Sequence, residues 1–594
     1  MNKSGLFRKI AYIAAIVLLL GPLFALGRPN SGVIGQLRTK HKMGQANLGK
    51  LDPTSESMRL ATLGMKGIAS TILWLRADYY KEEKYFDRFS ATLNQIALMQ
   101  PHFISVWQHQ AHNLSYNVAP EFEDYRQRYE WIKKGIDYLI RGTKYNERKP
   151  ILQYDLGHYV GNKLGKADEH VQYRSLYRKD SEFHKYFKEK GLAGIETSAL
   201  GFDQRPDNWL SGKLWFEQAY GLYQAGAPIK KSPHLLFSYA PLWHMYYGEA
   251  IESEGVLDSS ARFAWKQAGD EWAQFGTIAL FQFRQTTDLT LLSRDRARTD
   301  VLEFEREFDA LTGDAKNKAI EILRKGISAE KLQLFDKPES ERLPDEAEAY
   351  YDVFTRLKPS VQMITAQLPA KDQLAGLELA RKLTTAKDYL REVESYRGQV
   401  NYEYWQQRAE AEQREDVIEA RRLIYEADQL INLADVKGAL DSYESAWKRW
   451  SQVFRRYPSM MSEDVGDDVL KSVGRYKRLL DTDLDDTFVL NKFLKYRKAK
   501  EAEDDPTINV QAMDDEFKAE ANRIREAELR GEPIQIEPES EKMPETVAKD
   551  TPVPAPVVTE TPSTPAPAPQ VEAKGNASEL PSLPPPLENP DSQN

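Results

Sequence analysis

The sequence predicts an all-α protein: a stacked array of helical hairpins (an α-solenoid), with an amino-terminal apolar helix and a proline-rich carboxyl-terminal tail. Three observations carry this. Apolar side chains recur at three-to-four spacing through most of the 594 residues, which gathers them on single helix faces. Short polar connections separate successive apolar sets, so antiparallel packing is the economical arrangement. One hairpin cannot bury its apolar face alone, and further hairpins must stack on it.

Composition narrows the function classes. Hydrophobic residues make up 41% and charged residues 29%, enough of the first for a core and of the second for long solvated helices. The formal net charge is −9, with both signs interspersed; a general nucleic-acid binder would need a basic face instead. The absence of cysteine excludes disulfides, thiolate metal sites, a cysteine nucleophile and a lipidated amino-terminal cysteine.

Residues 1–27 read as a signal anchor or signal peptide. Lys3, Arg8 and Lys9 precede the apolar run from Ile10 to Leu26, as in an export signal or membrane helix. An unbroken helix of that run would reach about 25 Å, slightly short of a hydrocarbon core of ~30 Å. Gly21-Pro22 and the small-x-small triplet Ala25-Leu26-Gly27 suit cleavage, whereas Arg28-Pro29 would make a poor new amino terminus. The anchor reading places a single pass in the cytoplasmic membrane with the bulk of the chain outside the cytoplasm. The cleavage reading gives a secreted protein. Residues 28–56, rich in Gly, Asn, Gln and basic groups, read as a linker.

Residues 57–285 form the first helical domain. Its clearest unit is Leu73 to Pro101, with Leu73, Ala77 and Tyr80 on one helix and Phe89, Leu93 and Ile96 on the next. Lys81-Glu82-Glu83-Lys84 separates them. Trp107, Ala111 and Leu114 repeat the first spacing, displaced by 34 residues from Leu73. After a long connection, Trp131, Gly135, Leu139 and Gly142 mark a returning helix, and Leu156, Gly157 and Val160 begin another. Aromatic-rich helices follow over Trp209 to Tyr223 and Trp243 to Phe275. In the latter, Tyr246, Tyr247, Ala250 and Ile251 are expected to face Phe263, Ala264, Ala268 and Trp272 across Gly255.

Over 286–413 charges are dense, and heptad-like runs at Val301 to Leu311 and Leu374 to Val393 indicate a charged helical or coiled arm. Residues 414–500 make a second helical domain and 501–531 a charged helix. The segment 532–594 holds 15 of the 31 prolines. It cannot bury enough apolar area to offset ordering at ~1–2 kcal/mol per residue, and so is expected to be disordered.

The 34-residue displacement and a second hairpin near the carboxyl end resemble the tetratricopeptide repeat superfamily. In LIYEADQLINLADVKGALDSYESA, Leu423, Ala427 and Leu430 line one helix, Ala439, Tyr443 and Ala446 the other, with Gly438 by the turn. The closing Pro458 comes later than the repeat pattern places it, and Phe89 and Ile96 stand where that family has small residues. From Leu60 to about Gly276, wording such as LATLGMKGIASTILWLRADYYKEEKYFDRFSATLNQIALMQPHFISVWQHQAHNLSYNV resembles an uncharacterised bacterial family of membrane-anchored, tetratricopeptide-like proteins. Some of these are labelled "IRE (iron responsive element)". The resemblance implies protein or peptide binding, by analogy of fold alone; an iron-responsive element is an RNA feature with no counterpart in these residues.

Two constellations carry candidate chemistry. His102, His109 and His112, with Asp155 and His158 or with Asp168, Glu169 and His170, would bind a divalent metal if three or four of them converged. Otherwise they are polar surface histidines. Trp74, Tyr79, Tyr80, Trp107, Tyr116, Tyr125, Tyr129 and Trp131 are either core or the floor of a groove. No glycine-rich phosphate loop, nucleophile elbow or His-Glu-x-x-His motif occurs. The expectation is therefore a membrane-tethered, non-enzymatic scaffold with no catalytic residue, cofactor or bound metal. It would take a protein or peptide partner on a groove formed by Trp107, His109, Asn113, Tyr116 and Tyr125. The alternatives are an exported metal-binding or enzymatic helical protein, and a structural component of the envelope.

Overall fold

Helix α1 (Lys66–Glu82) buries Ala69, Leu73 and Ala77 against Phe89, Leu93 and Ile96 of helix α2 (Phe86–Met99), the apolar sets read from the sequence. The chain reverses through Lys84, which takes a left-handed φ of 57°. The computed structural model describes residues 14, 15, 18, 66–230, 232–284, 287–338, 346–502 and 509–531. The linker over 28–56 and the tail over 532–594 lie outside them, as does the apolar run at 10–26 apart from three residues. Among the described residues no helix is long and apolar enough to cross a membrane.

The protein is all-helical, with twenty-one α-helices among the described residues. Helix α3 (Ile104–His112) runs on through a π-helical turn (Asn113–Val118) and packs on α4 (Tyr125–Tyr145). Helix α5 (Pro150–His158) likewise runs on through a second π-turn (Tyr159–Lys163). Two short helices, α6 (His170–Lys179) and α7 (Ser181–Glu189), precede α8 (Asn208–Gln224), which returns to pack on α5. Then α9 (Pro233–Ser253) packs on α8, and α10 (Ser259–Thr277) on α9. Aspartates open several of these helices: Asp124, Asp180, Asp207 and Asp258 each accept a hydrogen bond from a first-turn amide, satisfying donors that the helix leaves free.

The turn from α9 to α10 passes through Gly255 at φ 88°. It brings Tyr247 and Ile251 into one core with Ala264, Ala268 and Trp272. Phe263, expected to face α9, is 59% exposed, because it falls between the inward positions Ala261 and Ala264. The connection before α4, expected to be long, is a single 3₁₀ turn (Ala119–Glu121) and a capped helix start.

A short antiparallel ribbon, β1 (Phe281–Phe283) with β2 (Thr287–Leu289), pairs Phe281 with Leu289 and Phe283 with Thr287. Beyond it α11 (Arg294–Arg324) leads through α12 (Ala329–Phe335), α13 (Ala347–Arg356) and α14 (Val361–Ala366) to α15 (Gln373–Gln399). Arg298 meets Glu394 at 2.7 Å and Lys387 meets Glu305 at 2.6 Å, so α11 and α15 run antiparallel. Phe308, Ala315 and Ala319 of α11 share a small separate core with Ile364, Leu368 and Ala380. Next, α16 (Tyr402–Glu412) packs back on α10, and α17 (Glu415–Asn432) pairs with α18 (Val436–Arg456). Ala427, Ala439, Tyr443 and Ala446 are buried between the last two. Asp435 caps α18 by accepting the Gly438 amide at 3.0 Å. Helices α19 (Asp464–Leu480), α20 (Asn491–Glu501) and α21 (Val510–Leu529) complete that core.

Two features lock the main body. The first is close approach of α5 and α8. A Cβ at Gly212 would lie 2.8 Å from the Gly157 carbonyl oxygen and 2.9 Å from the Gly161 nitrogen, so only glycine lets the two backbones meet. The second is a buried ion cluster. Arg408 of α16 lies 3.1 Å from Glu249 of α9 and 3.6 Å from Glu412. Arg421 of α17 pairs with Glu412 and lies 3.4 Å from Glu252, whose other oxygen accepts the Trp265 indole N–H at 2.9 Å. Burial, with Glu412 beside it, pushes the Glu252 carboxyl up to about 8.

Gly212→Ala is expected to destabilise the fold by ~1–3 kcal/mol, since backbone must move to admit the methyl. Gly221→Ala, in the same helix with open space around it, is expected to stabilise by ~0.5–1 kcal/mol; thermal or denaturant unfolding of the pair checks both signs. Glu252 retains in the folded state a proton that an ordinary glutamate loses near pH 4.5. Its contribution is therefore complete below that value and declines as pH rises through about 8. Glu252→Gln keeps the acceptor for Trp265 without the titration. Its melting temperature should fall less than the parent's between about pH 6 and about pH 9.

Candidate partner-binding face

The two π-turns face one another. In each, the extra residue breaks the regular i→i−4 ladder, and the carbonyls it displaces need other donors. The Asn208 side-chain amide supplies them at the second turn, donating to Val160 O at 3.2 Å and Gly161 O at 2.9 Å. The Trp243 indole donates to Gly157 O at 3.0 Å one turn earlier. Asn208 is itself held by Arg174, whose Nη1 donates to its Oδ1 at 2.6 Å. Arg174 is nearly inaccessible and pairs with Asp207 at 3.0 Å and Glu254 at 2.8 Å. At the first turn, Gly135 of α4 lets the helices close: a Cβ there would sit 2.8 Å from the Ala111 carbonyl oxygen.

The consequence is a cluster of rings and amines where α1, α3 and α5 meet, with α3 in the middle. His112 stacks on Tyr116 with centroids 4.8 Å apart and planes at 14°. Tyr116 meets Tyr159 edge-on at 5.6 Å, and Lys163 Nζ lies 4.3 Å from the Tyr116 ring centroid. Trp74 of α1 contacts His109 at 5.3 Å, and Gln108 of α3 donates to Asp155 of α5 at 2.7 Å. Burial holds the His112 imidazole below its ordinary value, and the positive fields of His109, Lys163 and Lys81 add to it. Burial also lowers Lys163, pushes the Tyr116 phenol up to about 12 and raises Tyr159.

The residues expected to form a groove divide into four groups. His109 and Tyr116 belong to this face. Asn113 sits beside them but is turned inward and buried, where it contacts the His109 ring nitrogen at 3.2 Å and accepts from Asn117 at 2.5 Å. Trp107 is a core residue at 2% exposure. Its indole donates to Pro101 O at 2.8 Å, and its ring stacks on Tyr145. Tyr125 lies at the start of α4, half-buried, under the Arg126 guanidinium at 4.7 Å, apart from the His109–Tyr116 cluster. Tyr159 and Lys163, which complete the face, carry no helical periodicity signal of their own. The available signal was Gly157, Gly161 and Gly165 at four-residue spacing, a glycine ladder that marks close backbone packing around them.

The histidines do not converge. His102 Nδ1 donates to Tyr145 O at 2.9 Å, and His170 Nδ1 to Ala167 O at 2.8 Å. His158 is ringed by Tyr154, Phe216, Tyr239 and Trp243. Among the described residues no group of three or more histidine, aspartate or glutamate side chains is placed to hold a metal ion.

Asn208→Ala would strip the donor from two π-turn carbonyls and the acceptor from a buried guanidinium. It is expected to cost ~2–3 kcal/mol, and amide exchange should quicken first around 160–165. No family model matches the chain, and neither a curated protein nor a solved structure does.

Proposed function

We propose that the protein is a membrane-tethered, non-enzymatic scaffold of tetratricopeptide-like helical hairpins that binds a protein or peptide partner on the face built by α1, α3 and α5. One observation carries the reading: three successive hairpin-leading helices turn aromatic, imidazole and amine groups onto one face, and two paired π-turns aim them. π-Turns are concentrated at functional sites. Rings such as Trp74, Tyr116 and Tyr159 offer large contact area at small entropic cost, with polar tips for recognition. The chemistry of the face suits binding more than catalysis. The Tyr116 phenol, raised to about 12, stays neutral and weakly acidic at physiological pH, and the histidines are engaged with rings and an amide rather than with a hydroxyl nucleophile.

The tether rests on the basic start and the apolar run from Ile10 to Leu26; an extracytoplasmic helical body fits the anchor reading, since long domains translocate largely regardless of flanking charge. The α17–α18 hairpin, with small Ala427, Ala439 and Ala446 buried at its contact, supports the repeat-like reading at the carboxyl end.

His109→Ala combined with Tyr116→Ala should lower recovery of the partner that co-purifies with the tagged full chain from its native host by at least about tenfold. Helical content should be unchanged. Tyr351→Ala, at an exposed position of α13, should leave recovery at the parent level. Equal recovery from all three would move the binding face elsewhere.

A further inference from the structure

Several half-buried lysines in this protein have carboxylate partners. Lys133 pairs with Asp180 at 2.7 Å and Glu130 at 3.0 Å. Lys213 pairs with Glu271 and lies 3.7 Å from Glu217, and Lys337 meets Glu346 at 2.6 Å. Lys163 and Lys81, each half-buried, make no ion pair among the described residues; Lys163 lies 4.3 Å from the Tyr116 ring centroid, and Lys81 follows Trp74 by seven residues, on the side of α1 that meets His109. Glu169 and Asp168 favour the Lys163 ammonium electrostatically but form no ion pair with it: Glu169 is taken by Arg128, and Asp168 is exposed to solvent. Asp155, one turn before Tyr159, accepts from Gln108. A cationic patch is thus left open on a chain whose net charge is −9. Leaving an ammonium half-desolvated without an anionic partner is unfavourable, the Tyr116 ring offsets only part of this, and an incoming anion lowers the remaining cost.

We propose that this face recognises an acidic peptide segment of the partner, with carboxylates on Lys163 and Lys81 and apolar side chains against Trp74, Tyr116 and Tyr159; this rests on the binding face proposed above. The donor set favours carboxylate over phosphate, because bidentate phosphate recognition calls on arginine and the nearby Arg128 is engaged by Glu169. The interleaved rings favour a peptide carrying apolar residues over a bare inorganic anion. The imidazole is a built-in reporter. His112 is held down by burial and by His109, Lys163 and Lys81, with the neutral phenols of Tyr116 and Tyr159 as its other neighbours on this face. A bound carboxylate would raise its affinity for a proton.

The test uses the purified full chain and a fluorescein-labelled peptide of alternating Glu and Leu, its Gln-for-Glu counterpart, and inorganic phosphate as competitor. The Glu peptide should bind, weaken with added salt, and shift the His112 titration upward in NMR spectra. The Gln peptide and Lys163→Met should each bind at least about tenfold more weakly, Lys163→Arg should restore binding, and millimolar phosphate should not compete. Competition by phosphate at that concentration would identify an anion site indifferent to peptide and overturn the proposal. Equal binding of the Gln peptide, or Lys163→Met at the parent level, would also overturn it. Native-partner recovery lost in His109→Ala/Tyr116→Ala but retained in Lys163→Met would sink the acidic-segment inference alone. Recovery retained in both would sink the binding face as well.

Discussion

Arg408 lies among Glu249, Glu412 and the ring faces of Trp265 and Trp405, and Arg421 closes the same cluster from the next helix through Glu412 and Glu252. Moving a guanidinium out of water costs several kcal/mol, and the attraction of its partners repays this only when geometry is good. The cluster draws on α9, α10, α16 and α17 together. If α9, α16 or α17 slipped by a turn, a buried charge would lose a partner. Such a network is weak evidence for stability and better evidence for register: it penalises alternative packings of helices whose apolar faces are otherwise interchangeable. Glu249 and Glu252 show how finely the charges are divided. Burial opposes ionisation of both, yet Arg408 and Lys166 hold Glu249 at about 2 while Glu412 helps push Glu252 to about 8.

The same principle reaches the surface through a shorter relay. Glu254, at the end of α9, and Asp207, at the start of α8, hold Arg174. Arg174 orients Asn208, and Asn208 satisfies the carbonyls of the second π-turn. Tyr159 and Lys163 ride on that turn. Their position against Tyr116 therefore depends on buried polar groups, none of which touches the face. A polar network of this kind is costly when partly satisfied and rigid when complete. Changes far from the face are accordingly as damaging to it as changes on it.

Much of the helical pattern could be read directly, because the residues that define it obey a simple period. Leu73 and Ala77 against Phe89, Leu93 and Ile96, and Ala427 against Ala439, Tyr443 and Ala446, are packed as their spacing implies. Phe263 shows the limit: it is apolar and adjacent to the stripe, but a helix face is narrow, and the neighbouring alanines take the inward positions. Trp107 shows another. Spacing placed it correctly on a helix face, but it could not show that Gly142 of α4 leaves a slot in which the indole is buried. Trp107 is core because the facing helix offers a glycine. That depends on a residue 35 positions away, Gly142 against Trp107.

The departure at Asn113 has a different cause, and it bears on why the face exists. On a regular α-helix His109, Asn113 and Tyr116 share one side. Asn113 opens the π-turn and lies three residues after the buried Gln110, at the edge of the inward stripe, while His112 and Tyr116 stack at i and i+4. A period of 3.6 does not register the inserted residue. Removing one residue would restore α geometry and its full hydrogen-bond ladder, so an inserted residue persists against a standing penalty. Two such insertions occur here on neighbouring helices, and Asn208 and Trp243 compensate the second. Tyr116 stands on the first and Tyr159 and Lys163 on the second, and the three side chains meet. The departures from α geometry lie where the ring and amine cluster is made, and that co-location favours the proposed binding face more than its composition does.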